Sequence, residues 1–220
     1  MGCKLKVILT PIINKINGAI GIGAMIVFIS IILIGGVAAS VFIQTSSRLE
    51  TQALKSGQDT IAEISIGLSV EGIDGHKSGN NIDKIGIIVR PRAGSSDIDL
   101  SETVIEISDS STKNLLVFNG ANFANVSNID GDFFALAAFE GGASVFRVVV
   151  LEDADRSCSS STPVIGSGDH IMLCINITNA FGGFSKNTDV FGTVIPEEGK
   201  PAPFLFRVPG LSQDTVFELF

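Results

Sequence analysis

The stretch Ala19–Ile43, AIGIGAMIVFISIILIGGVAASVFI, decides the fold. Every residue in it is apolar or small, and residues 16–47 contain no charged side chain. A bilayer-spanning helix needs about 20 such residues, so the run is long enough to cross. It is too long for the apolar core of an ordinary secretory signal, which holds about 7 to 15 residues. The head before it carries Lys4, Lys6 and Lys15 and no acid, the charge pattern of an end that stays in the cytoplasm. The chain beyond residue 43 is therefore expected outside the cell.

The next segment, QTSSRLETQALKSGQDTIAEISIGL (residues 44–68), is amphipathic. Leu54, Ile61 and Leu68 repeat at a spacing of seven and Ile64 fills the intervening turn, a helical period. The pattern predicts one helix from Ala19 to about Ile66, roughly 70 Å long at 1.5 Å per residue. A helix that is apolar all round must be covered by lipid or by protein. Gly21, Gly23, Gly35 and Gly36 leave room for close helix–helix approach, and Leu54, Ile61 and Leu68 are expected to extend the packing beyond the bilayer.

After Gly67 the texture changes to short apolar or alternating runs: GLSVEGI, DKIGIIVRP, ETVIEIS, KNLLVFN, FFALAAF, SVFRVVVLE, DHIMLCINIT, VFGTVI, PFLFRV and TVFELF. Their separators are rich in Gly, Ser, Asn, Asp and Pro, which favour turns. These runs predict strands. The fold class expected is α+β: one long N-terminal hydrophobic α-helix, residues 19–66, followed by an all-β immunoglobulin-like sandwich, residues 67–220.

Composition removes several function classes. The chain has 220 residues with 15 Lys+Arg against 23 Asp+Glu, a net charge of −8, which speaks against nucleic acid as a partner. Mean hydropathy is +0.43, unusual for a soluble domain and placed mostly in the helix. There is no Trp and no Tyr, against 15 Phe and 24 Gly. His76 and His170 stand in a turn and at a strand start, without a third ligand or a nucleophile elbow beside them. No phosphate-binding G-x-x-x-x-G-K-[ST] occurs. The acidic pairs Asp97/Asp99 and Asp130/Asp132 and the group Glu152, Asp153 and Asp155 match no EF-hand and read as solvated loops. No catalytic residue, metal site or cofactor is assigned.

The segment from Gly18 to Leu49, GAIGIGAMIVFISIILIGGVAASVFIQTSSRL, resembles the N-terminus of the archaellins, the archaeal flagellins. Basic leader, terminal Gly, AIGIG start and VAASVFI-x-T continuation occur together and in order. The resemblance is specific over about Gly18 to Thr60. Farther on, STPVIGSGDHIMLCIN and PAPFLFRVPGLSQDTVFELF are similar to the family's late strands in a looser way. The resemblance implies a class III signal peptide, residues 1–18, cut between Gly18 and Ala19 by a prepilin-peptidase-like protease. Asn17 stands where the family usually has Lys or Arg, a departure that bears on cleavage efficiency. Gly23 occupies the fifth mature position, where bacterial type IV pilins carry Glu. Cleavage would remove three lysines and leave 12 cations against 23 acids.

The function implied is a structural subunit of the archaellum filament, an extracellular rotating filament for swimming, with no enzymatic activity. Its partners would be copies of itself, paralogous archaellins, the membrane before assembly, the protease, and the archaellum assembly and motor machinery. An adhesive archaeal pilus subunit is the nearest variant of this reading. A membrane-anchored extracellular binding domain is the alternative from a different class, and the heptad extension beyond the bilayer counts against it.

Two sequons, Asn125-Val-Ser127 and Asn176-Ile-Thr178, are candidate N-glycosylation acceptors. Strand alternation puts Ile171, Leu173, Ile175 and Ile177 inward, and His170, Met172, Cys174 and Asn176 outward. Cys158 and Cys174 fall in an oxidising compartment, where a bridge closing their loop would contribute about 3 kcal/mol. A disulfide and two free thiols are equally open. Cys3 would leave with the leader.

Overall fold

The computed structural model describes residues 6–129, 131–210 and 214–220. Cys3, the first leader residues and Asp130 lie outside them, and the Gly18–Ala19 cut site falls where only helical backbone is described. The chain divides into two compact units, Met1–Gln58 and Asp59–Phe220.

A single helix, α1, runs Lys6–Ser65. The uncharged stretch and its amphipathic continuation form one element, because no Pro interrupts the ladder after Pro11. Ser30, within the apolar run, returns its hydroxyl to the Ile26 carbonyl at 2.7 Å and so leaves no unsatisfied donor. Among the described residues it is the one helix long and apolar enough to cross a membrane.

The second unit is built of strands β1 (Leu68–Ser78), β2 (Asn81–Pro91), β3 (Ile98–Asp99), β4 (Val104–Ser108), β5 (Lys113–Phe118), β6 (Ala124–Asn125), β7 (Val145–Glu152), β8 (Val164–Ile165), β9 (His170–Asn176), β10 (Phe184–Ser185), β11 (Asp189–Ile195), β12 (Ala202–Arg207) and β13 (Val216–Glu218), with a short helix α2 (Ile177–Phe181). The main sheet follows the order β12-β11-β4-β5-β7-β9-β2-β1-β13, and β3 pairs with β8 separately. All these pairs are antiparallel except β5–β7. Only Val117–Val145 and Phe118–Phe146 hold that parallel junction. The sheet curls about it until β1 and β12 touch, so its two halves face each other as a sandwich does. Between them lies the main core, with Ile73, Ile85, Ile107, Phe146, Leu173 and Phe206 among its members. The sandwich is thus one continuous curled sheet rather than two separate sheets.

Three expectations are corrected. Leu68 is not a helix-packing residue: it opens β1 and is 1% exposed in the β core. The helix ends at Ser65, and Gly67, at φ +146°, turns the chain into the sheet before the heptad position arrives. FFALAAF is not a strand. It forms two 3-10 turns, Phe133–Ala135 and Ala137–Phe139, the first opened by Asp132, whose side chain accepts the Phe134 N–H. Met172 and Cys174 do not face solvent, because those turns lie on the outer face of β7–β9–β2. There Phe134, Ala138 and Phe139 pack with Val149, Met172 and Cys174 into a second small core. Central β9 is therefore buried on both faces, and simple alternation fails for it.

Candidate functional site

In α1 the large apolar side chains from Ile20 to Ile64 are exposed, between 54% at Val41 and 73% at Phe42. Gly21, Gly23, Gly35 and Gly36 have open space where a Cβ would stand. Such a surface is stable only in lipid or against other helices. It is the largest chemical feature of the described chain.

The start of the β unit is clamped. Lys200 N–H donates to the Ile66 carbonyl at 2.9 Å, Arg92 N–H donates to the Gly67 carbonyl at 2.9 Å, and Gly67 N–H reaches the Ser95 hydroxyl at 3.3 Å. Gly199 closes this clamp at φ +89°, where a Cβ would run into the Ile66 carbonyl.

The two sequons differ in kind. Asn125 is exposed and its side chain makes no cap bond. Asn176 is engaged on both ends of its amide: Oδ1 accepts from Asn179 N–H at 2.9 Å and caps α2, and Nδ2 donates to the Phe139 carbonyl at 3.1 Å. The expected outward, reachable Asn176 is thus half-buried and tied to the second core. A glycan on Nδ2 would have to displace the Phe139 contact.

The bridge considered for Cys158 and Cys174 is not formed. Both are free and buried, and they belong to different apolar clusters, Cys158 to the main core and Cys174 to the second one. Burial, followed by the charges of Asp153 and Asp169, pushes the Cys158 thiol up to about 12, and burial alone raises Cys174 well above the ordinary thiol range. Neither offers a thiolate nucleophile near neutral pH.

The histidines each meet a carboxylate. His76 Nδ1 lies 2.6 Å from Asp83 Oδ1, and its ring tilts against Phe134. Glu71 is shared, with Arg90 Nε at 2.8 Å and His170 Nδ1 at 2.8 Å. These are polar contacts on the sheet surface, with no nucleophile in their bonds.

One cluster was not legible in the chain order. Asp169, buried in the turn before β9, joins Asp153 and Asp155, with oxygens of all three within 4.8 Å of one another. Three carboxylates are the donor type hard divalent cations take, and among the described residues they are the group that could hold one. Backbone N–H groups already oppose their charge: Ala154 and Gly166 donate to Asp169 at 3.0 and 2.7 Å, and Ser157 donates to Asp153 and Asp155 at 3.2 and 3.0 Å. The Ser157 hydroxyl and N–H hold Asp155 below the usual carboxylate range. The only signal in the sequence is the GSGD turn, whose acid points back to the Asp153 loop.

A sequence model of the archaeal-type flagellins matches residues 18–206. The chain belongs to the archaeal-type flagellin family. This archaellin is 38% identical over 207 residues to flagellin B2 of Methanocaldococcus jannaschii, covering 92% of this chain and 95% of that one. It is 34% identical to flagellin B3 of Methanococcus voltae, over 94% of this chain and 97% of the relative. Its fold is similar to the crystal structure of flagellin FlaB1 from M. jannaschii, with a TM-score of 0.63 and 30% identity over 70% of this chain and 96% of that one. The chain is a structural subunit of the archaeal flagellum filament, an extracellular assembly of archaellin copies, and not an enzyme.

Proposed function

We propose that this archaellin reaches its filament by moving one helix from lipid into protein. The leader, residues 1–18, is removed between Gly18 and Ala19 by a prepilin-peptidase-like membrane protease. The mature chain then waits in the cytoplasmic membrane as a helix, residues 19–66, with the β domain, residues 67–220, outside. Assembly machinery at the membrane extracts it, and the helix packs on those of other copies and paralogous archaellins through Gly21, Gly23, Gly35, Gly36, Leu54 and Ile61. A helical, non-closing array grows without limit, and an envelope motor turns it for swimming. Asn125 carries the glycan of the surface, which its exposure supports.

The observation that carries this reading is the wholly uncovered apolar surface of α1 between Ile20 and Ile61. Its free energy of transfer out of lipid is offset only by contact with a similar surface. The experiment is to determine the first residue of the chain in filaments sheared from its native cells. An Ala19 start in sheared filaments, with motility lost in a deletion strain, is the expected result. A chain that keeps Met1 and remains a membrane monomer sinks the reading.

A further inference from the structure

The outer face of one half-sheet exposes large apolar side chains. In β4, β5, β11 and β12 alternate residues enter the core, and the other set points out. Leu115, Val117, Phe191 and Leu205 are 56%, 49%, 49% and 55% exposed. The register gathers them: Phe191 stands beside Leu205, Ile195 beside Val104, Val104 beside Val117, and Leu115 beside Glu106. Thr193 beside Glu106 and Ser108 beside Lys113 are interspersed among them, so the face is mixed, with exposed apolar groups on all four strands, and exposed apolar surface rimmed by polar residues marks an interaction site.

The other half-sheet shows how this chain treats such a face when no partner is meant for it. Val149, Met172 and Cys174 on β7 and β9 are roofed by the turns at Phe133–Phe139. Of the described residues Phe220 lines a groove with Phe191 and Leu205, but it is itself 49% exposed and leaves Leu115, Phe191 and Leu205 open.

Charge says what can approach. The chain is acidic, at −8, so copies brought together repel wherever unpaired acids meet. On this face every charge is matched: Lys113 Nζ lies 2.6 Å from Glu106, and Arg207 Nε lies 3.5 Å from Asp189. The face is therefore the part of an acidic subunit on which a like-charged copy can settle without like-charge repulsion. Edge pairing is disfavoured, since Pro203 removes a backbone donor from the terminal strand β12 and Pro201 another just before it, so the contact is side-chain packing on the face.

We propose that the β4–β5–β11–β12 face docks a second copy of this chain, joining neighbouring β domains in the filament. The proposal rests on the filament reading above. A face that met its own equivalent would close a dimer, so in a growing helical array it meets a different surface of the neighbour.

The native cysteines of the β domain are buried, which leaves a clean background for thiol labelling. Leu205→Cys and Leu115→Cys are introduced separately, with the exposed turn variant Asn80→Cys as the reagent control. Labelling by a bulky maleimide is timed in sheared filaments and in detergent-dissociated subunits. Because thiol chemistry needs access, Leu205→Cys and Leu115→Cys are expected to label about tenfold or more slowly in filaments than in dissociated subunits. Equal rates in the two states overturn the proposal and leave the filament reading standing. Protection on cells that disappears in sheared filaments assigns the face to another surface component and also overturns it. If a face variant fails to enter filaments, an unchanged calorimetric unfolding of the dissociated subunit supports the proposal, and a lowered one overturns it. Absence of filaments from the unmodified chain ends both readings together.

Discussion

The isoleucines of the two units meet opposite fates. Ile29, Ile32 and Ile34 in α1 are 55%, 56% and 70% exposed, whereas Ile73, Ile85 and Ile87 in the sheet are 0% exposed. The side chain is the same and only its surroundings differ. The β unit completes its own core and can be judged by its stability. The helix is finished only by lipid or by another subunit, so its residues are read out in assembly. A substitution should therefore report on fold or on filament, according to which unit it strikes.

The largest effect is expected from Phe146→Ala. Phe146 is fully buried at the parallel β5–β7 junction, in edge contact with Phe118 at 5.9 Å. Truncation of such a ring costs about 3–5 kcal/mol, enough to unfold a domain of ordinary marginal stability. With no Trp or Tyr in the chain, the measurement is calorimetry of detergent-dissociated subunits, and the β transition should drop steeply or vanish. Ile29→Asp is the counterpart in α1. A carboxylate at the middle of a membrane helix costs roughly 2.5–3.5 kcal/mol, so filaments should be lost while the β transition keeps its temperature. A shifted β transition in Ile29→Asp would break the division between the units.

Asp169→Ala comes next. The residue is 1% exposed and its two oxygens accept from Gly166 and Ala154 N–H. Orphaned buried donors cost about 1–3 kcal/mol, and the loss should appear in the same calorimetric transition. Such a loss would mean that the β unit is held by its turns as well as by its core.

Sequence and structure agree where a single physical signal dominates. The helix was legible because 16–47 holds no charge, and nine of the ten apolar runs became strands because turn residues bounded them. The misses on β9 share one cause: a strand's outer face can be covered by a distant segment. Nothing near Met172 or Cys174 in the chain announces Phe134 and Phe139, and Asp169 meets Asp153 only through the fold. The seven-residue spacing of Leu68 was accidental, since the helix has already ended at Ser65 and Gly67 turns the chain into the sheet. The exposed apolar surface of α1 could be read directly, whereas the exposed half-sheet required the register that aligns Phe191 with Leu205.

The sequons give a smaller test. Asn176→Ala removes the α2 cap and the contact to Phe139, and a lost cap alone costs about 1 kcal/mol. Asn125→Ala, at the exposed end of β6, should leave the β transition in place. Peptide mass spectrometry of native filaments is expected to find sugar at Asn125 and a bare Asn176. A glycan on Asn176 would show that the second core yields.

The smallest effect is a gain. Asp74 and Glu218 stand directly opposite across β1 and β13. Burial, and then the Glu218 charge, raise the Asp74 carboxyl above its usual range. A carboxyl raised in the folded state binds more protons folded than unfolded. Its favourable contribution is therefore complete at acid pH and is lost as pH rises through the folded value. Glu218→Gln removes the opposing charge, so the β unit should gain a few tenths of a kcal/mol near neutrality, within the roughly 0.2–1 kcal/mol range of cross-strand pairs. The gain should fade on acidification, as Asp74 and Glu218 lose their charges in the unmodified chain. Calorimetry at neutral and at acid pH reads the difference, and a gain of equal size at both would mean that side-chain packing of β13 on β1, rather than charge, sets the strength of that edge.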